Sequence, residues 1–151
     1  MVTVTGPVAS TGPPAVRSAS ALMVVPWAAM GIVGVDHVQV AAPPGCEADA
    51  RRFYGELLGM PELTKPPVLA ARGGCWFQAG AQELHVGVER DFRPARKAHP
   101  GLVAESVADL EAIGERLTAA GADVVWDDAN PGVTRFHVHD PWGNRLELVA
   151  R

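Results

Sequence analysis

Cysteine is scarce in this chain: Cys46 and Cys75 are the only two among 151 residues, so no disulfide framework holds it and its stability must come from a packed core. An excess of basic charge is also missing, with 13 Lys and Arg against 17 Asp and Glu. A nucleic-acid partner needs a clustered basic surface, and the densest run here, ERDFRPARK at 89–97, is short and mixed in sign, as a solvated linker would be. No apolar run reaches the ~20 residues of a membrane span. Ala21 to Val35 comes nearest, but Pro26 interrupts it and no clean small-residue cleavage site follows, so neither a membrane partner nor secretion is expected. With so few cysteines, a reducing cytoplasm is the expected location.

What is present, 48% hydrophobic and 20% charged residues, is the composition of a globular protein. Residues 1–30 differ from the rest: Pro, Gly, Ser, Thr and Ala dominate, and only Arg17 is charged before Asp36. They read as a flexible tail ahead of a domain at 31–151, with Met23 or Met30 rivalling Met1 as the translation start.

An ungapped shift of 62 residues brings the chain onto itself. It carries His37 to His99 (37 + 62), His85 to Glu147 (85 + 62) and Gly59 to Gly121 (59 + 62). Local patterns support the same register. CEADARRFYGELLG (46–59) places Ala50, Phe53, Leu57 and Leu58 on one helical face, and SVADLEAIGERLTAAG (106–121) does the same with Val107, Leu110, Ile113 and Leu117. Each helix ends at a glycine suited to a left-handed C-terminal residue.

Strands are expected around these helices: Val35 to Ala41, Val68 to Ala71, Cys75 to Ala79 and Glu83 to Val88 in a first module at about 34–90. A second module at about 97–151 offers Leu102 to Ala104, Asp123 to Asp127, Thr134 to His139 and Arg145 to Val149. Turn-forming DPWGN at 140–144 ties the last hairpin. The expected fold is therefore α+β, two tandem βαβββ modules forming a curled, cleft-bearing sheet.

Alternation along a strand puts His37 with Gln39, His85 with Glu83, and Glu147 with Arg145 on sheet faces turned away from the helices. His37, His85, His99 and Glu147 thus become candidate ligands for a divalent cation, one on the first and one on the last strand of each module, at a common spacing of 48 (85 − 37 and 147 − 99). Imidazoles with one carboxylate suit zinc, nickel, cobalt, iron or manganese alike. Glu83 has the strand parity of His85 and would replace it if the register slipped. Glu147, the sole carboxylate of the four, is the candidate catalytic residue, and is expected to be unpaired without metal. Gln39, Trp76, Phe77 and Arg135 are candidates for a substrate pocket, although strand aromatics such as Trp76, Phe77, Trp126 and Phe136 are more often plain core. His137 and His139 share a strand face, either as partners behind the ligands or as exposed residues, and Tyr54 is expected at the helix edge.

VDHVQV, ARRFYGELLGM, ELHVGV, HPGLVAESVADLEAIGERL and above all FHVHDPWGNRLELV resemble the vicinal-oxygen-chelate superfamily, the glyoxalase, bleomycin-resistance and extradiol-dioxygenase proteins, over about Gly34 to Arg151. The resemblance implies paired βαβββ modules, a homodimer, and a metal that chelates two adjacent oxygens of a small-molecule substrate. His37, His99 and Glu147 match the family's ligand positions. His85 stands where glyoxalase I-like members carry glutamate, which sets the chain apart from a lactoylglutathione lyase. Two activities follow: a metal-dependent lyase, isomerase or dioxygenase, or a metal-free protein that sequesters an aromatic antibiotic or natural product.

Overall fold

The computed structural model describes residues 32–151, and the expected tail at 1–30, with the choice among Met1, Met23 and Met30, lies outside the described residues. The compact unit runs from Gly34 to Arg151. Its first module consists of β1 (His37–Ala42), a helical turn α1 (Glu47–Ala50) that continues as a π-helix (Arg51–Leu57), β2 (Glu62–Leu63), α2 (Pro67–Ala70), β3 (Cys75–Ala79) and β4 (Gln82–Val88). The second follows with β5 (Gly101–Val103), α3 (Val107–Ala119), β6 (Val125–Trp126), β7 (Thr134–His139) and β8 (Arg145–Ala150). Each module forms a four-stranded mixed sheet, in the orders β1-β4-β3-β2 and β5-β8-β7-β6. This is the expected α+β architecture of two βαβββ modules.

Helix boundaries follow local chemistry. Ser106 caps α3, its hydroxyl accepting from the Asp109 amide at 3.1 Å. Gly59 and Gly121 take up positive φ, 76° and 86°, as the sequence leads one to expect of residues that end a helix left-handed. One expected strand is corrected: Val68 to Ala71 does not pair but mostly forms α2, because Pro67 sits at its first turn with φ already helical and Pro66 starts it. The outer strand is instead the two-residue β2, hydrogen-bonded to β3.

The inner strand pairs repeat closely. β1 and β4 run parallel with Gln39 opposite His85, and β5 and β8 run parallel with Gly101 opposite Glu147, an offset of 46 in both (85 − 39 and 147 − 101). The outer hairpins do not share the 62-residue register. Trp76 lies opposite His85 and His137 opposite Glu147, so β3 maps onto β7 with a shift of 61 (137 − 76), the second hairpin having one residue more in its turn.

One core serves both modules. Val40, Phe53, Tyr54, Phe77, Leu84 and Val86 from the first join Leu110, Leu117, Phe136, Val138, Leu146 and Leu148 from the second. The DPWGN turn adds a buried polar clasp. Asp140 accepts from Tyr54 Oη at 2.9 Å, from the Trp142 and Asn144 amides at 3.0 and 2.8 Å, and from Asn144 Nδ2 at 2.7 Å. Asn144 Nδ2 also donates to the Ala41 carbonyl, and its Oδ1 accepts from the Ala95 amide, so one side chain links β1, the inter-module linker and β8. Tyr54, expected at the helix edge, is instead completely buried, and burial together with Asp140 pushes its hydroxyl well above the ordinary tyrosine range.

Candidate metal centre

Strand alternation sorts side chains between the shared core and the outward faces. On β8 Leu146 and Leu148 enter the core, while Arg145 and Glu147 turn out; on β7 Phe136 and Val138 are buried, while Arg135, His137 and His139 accompany Glu147. On the first sheet Leu84 and Val86 are core, and His37, Gln39, Trp76, Glu83 and His85 share the opposite face.

The four residues expected as ligands are brought together two by two. In the first module the His37 and His85 rings stack at 4.3 Å between centroids, 18° apart in plane. Trp76 covers the other face of His85 at 4.1 Å and 8°. Glu83, the alternative to His85, accepts from its Nε2 at 2.8 Å, so the two act as partners rather than as rivals. Asp36 holds His37 Nδ1 at 2.9 Å, and among the described residues Nε2 of that ring has no hydrogen-bond partner.

In the second module His99 lies just ahead of β5. Its Nδ1 donates to the Lys97 carbonyl at 2.8 Å, which places the proton on Nδ1 and leaves the Nε2 lone pair aimed at Glu147 Oε2, 3.4 Å away. Two donors each about 2.1 Å from one tetrahedral ion stand about 3.4 Å apart, so this pair has the separation of two ligands on one metal. A backbone carbonyl behind a ligating imidazole is the usual supporting contact for such a site. His137 completes a group: one ligand atom each from His99, His137 and Glu147 lies within 4.8 Å of the others. Gly101 leaves room beside them, since a Cβ there would approach no closer than 3.9 Å to Glu147 Oε2.

Electrostatics favour the ligand-competent forms. Burial raises the pKa of Glu147, but the hydrogen bond from Arg135 and the charge of that guanidinium outweigh it and hold the carboxyl below its ordinary value. Burial, then the charge of Arg145, lower the pKa of His137 and so favour neutral imidazole. Glu147 is not unpaired, contrary to expectation: Arg135 Nη1 donates to its Oε1 at 2.9 Å, while Nη2 donates to Asp127 Oδ2 at 2.8 Å.

The candidate pocket residues divide. Gln39 lies over Gly87 on the outward face. Phe77 is corrected to the core: it is completely buried, 5.7 Å from Tyr54. Alternation forbids Trp76 and Phe77 from sharing a face, and Trp76 has the outward one. Trp76 stacks on His85, and Lys65 Nζ stands over its ring at 5.8 Å. Trp126 packs against Phe136 and Gly114 on the helix side. Arg135 has both terminal nitrogens on protein carboxylates. The 62-residue shift gives His137 no ligand partner in the first module and so hides it; its structural counterpart is Trp76, one residue off that register.

The chain belongs to the Glyoxalase/Bleomycin resistance protein/Dioxygenase superfamily, whose family model matches residues 34–148. Among solved structures it is similar to a protein from Bacillus anthracis described as of the glyoxalase family, with 49% identity over 81% of this chain and 98% of that one, at a TM-score of 0.75. The fold is shared with a lactoylglutathione lyase from Agrobacterium tumefaciens (19% identity, 80% of this chain and 96% of that one, TM-score 0.61). It is also shared with the fosfomycin resistance protein FosX of Listeria monocytogenes (14%, 80% and 95%, TM-score 0.64). No curated protein matches. Among the described residues no helix is long and apolar enough to cross a membrane.

Proposed function

We propose that this protein is a metal-dependent enzyme of its superfamily, acting on a small oxygenated molecule through two neighbouring oxygens in lyase, isomerase or dioxygenase chemistry. The observation that carries this reading is His99: Nδ1 committed to the Lys97 carbonyl, Nε2 free and 3.4 Å from Glu147 Oε2. The cation would be held by His99 and Glu147, with His137 the third donor within the chain. Zinc, nickel, cobalt, iron and manganese all suit such a set. When bound, the ion supplies Lewis-acid polarisation of a chelated oxygen. The chain's own residues prepare the site: Lys97 sets the His99 tautomer, Arg135 holds Glu147 ionised, and Glu147 serves as ligand and candidate catalytic residue.

His37 and His85 enter this reading through a second copy. Both sheets turn their apolar faces to a shared core, and among the described residues no hydrogen bond or ring contact joins the His37–His85 pair to the His99–Glu147 pair. In a homodimer the outward face of one first module can meet that of the partner's second module, adding imidazoles to the site. The rival, metal-free capture of an aromatic compound, loses support because Phe77 is core, Trp126 lies on the helix side of its sheet, and Trp76 is already stacked on His85.

Metal analysis tests the reading. Purified full-length protein is expected to take up about one divalent ion per chain, with a rise in melting temperature that Glu147→Gln largely removes. Protein that stays metal-free after exposure to zinc, nickel, cobalt, manganese and anaerobic iron overturns it.

A further inference from the structure

The outward face of the second sheet carries two arginines, and they differ in what holds them. Arg135 is saturated at its terminal nitrogens by Glu147 and Asp127. Arg145 lies two residues before Glu147 on β8, opposite His139 and on the same face as His137. Its side chain is only partly exposed. Among the described residues its guanidinium has neither a hydrogen bond nor an ion pair, yet its charge is felt at His137. The carboxylate nearest in sequence, Glu147, does not take it: Arg135 holds its Oε1, and its Oε2 faces His99 Nε2.

The repeat sharpens the contrast. The counterpart of Arg145 in the first module is Glu83 (83 + 62 = 145), which is spent on the His85 ring. The same structural position is thus an engaged anion in one module and an unengaged, partly desolvated cation in the other. A guanidinium in that setting gains most from a planar anion that can accept two of its N–H donors, and none of the chain's own carboxylates supplies one.

We infer that Arg145 is a substrate-binding residue, and that the substrate is a small anion carrying a carboxylate or a similar oxyanion beside its two chelating oxygens. This rests on the metal reading above and narrows it from an oxygenated molecule to an anionic one. Arg135, the candidate for this role in the sequence, is excluded from it by its two protein carboxylates; it serves Glu147 instead.

Two chelators separate the contributions: oxalate, whose outer oxygens can reach a guanidinium, and acetohydroxamate, which presents a methyl group there. Full-length protein loaded with cobalt is titrated with each, following the visible cobalt spectrum, for wild type, Arg145→Gln and Arg145→Lys. Arg145→Gln is expected to weaken oxalate about tenfold or more while acetohydroxamate changes less than about twofold, with Arg145→Lys recovering part of the loss. Cobalt uptake with the same oxalate-to-acetohydroxamate ratio in wild type and Arg145→Gln overturns the assignment and leaves the metal reading standing. Wild-type protein that takes up no cobalt overturns the metal reading itself, and the inference with it.

Discussion

Arg135 grips one oxygen of Glu147 at 2.9 Å and leaves the other 3.4 Å from His99 Nε2. The carboxylate is therefore oriented before any cation arrives, and its opposite anchor is Asp127, itself fixed by the Ala129 amide at 2.8 Å. Such a chain lowers the cost of organising a ligand at the moment of binding.

Glu147→Gln accordingly acts twice. Without metal it weakens a partly buried charge-assisted hydrogen bond and should cost about 1–2 kcal/mol. With metal it removes the only carboxylate of the ligand group, so the metal-induced rise in melting temperature should shrink. Melting wild type and variant with and without zinc reads both effects, and an unchanged zinc-induced shift removes Glu147 from the ligand set.

Site completion by a second copy makes a mixing prediction. Chains carrying His37→Ala with His85→Ala, and chains carrying His99→Ala with Glu147→Gln, should each bind metal poorly alone. Refolded together, they should recover some of the wild-type metal content, since one interface of the mixed dimer has both intact halves. Light scattering that shows a monomer at every concentration contradicts this.

The Asp140 clasp should dominate stability. Tyr54→Phe removes one of four hydrogen bonds to a buried carboxylate and should cost about 1–2 kcal/mol in urea unfolding, whereas Asp140→Ala strands the remaining donors and should cost about 3–5 kcal/mol. Equal costs would mean that Tyr54, not the turn, sets the clasp.

Two glycines should respond in opposite ways to alanine. At Gly101 a Cβ meets, among the described residues, only Glu147 Oε2, at 3.9 Å, so Gly101→Ala should fold with near-normal stability. At Gly74, φ is 76° and a Cβ would fall 2.1 Å from the Val86 carbonyl oxygen, so Gly74→Ala should be destabilised by several kcal/mol or fail to fold. Thermal unfolding of the pair is the check.

Cys75 is completely buried, and burial pushes its thiol up to about 11. Cys46 is buried and raised as well. Neither should react with a thiol reagent at pH 8 until the protein is unfolded. Rapid native labelling would show that this part of the core opens.

The halves of the candidate site were unequally legible in the chain. Glu147 and His99 could be found from the repeat because the parallel pairs β1·β4 and β5·β8 keep one offset, so ligand positions recur at constant spacing. His137 was hidden by a single extra residue in the second hairpin. Alternation along β3 sends Phe77 to the core when Trp76 faces outward, and Val68 to Ala71 resembles a strand in sequence because a short apolar run carries no period of its own. The true edge, Glu62–Leu63, is too short to show one.

Sequence by itself determined the fold class, the two-module plan, the helix ends at Gly59 and Gly121, and which strand residues share a face, because all of these depend on local propensity and on periods of 2 and 3.6 residues. Only tertiary structure decided the pairing. Arg135 and Arg145 are equivalent in the linear chain, both arginines on outward strand positions near Glu147. Cross-strand geometry gives the carboxylate to Arg135 and leaves Arg145 free. Likewise, nothing local tells that Tyr54 must reach Asp140, 86 positions away, because such a contact exists only once both modules have buried their apolar faces in one core.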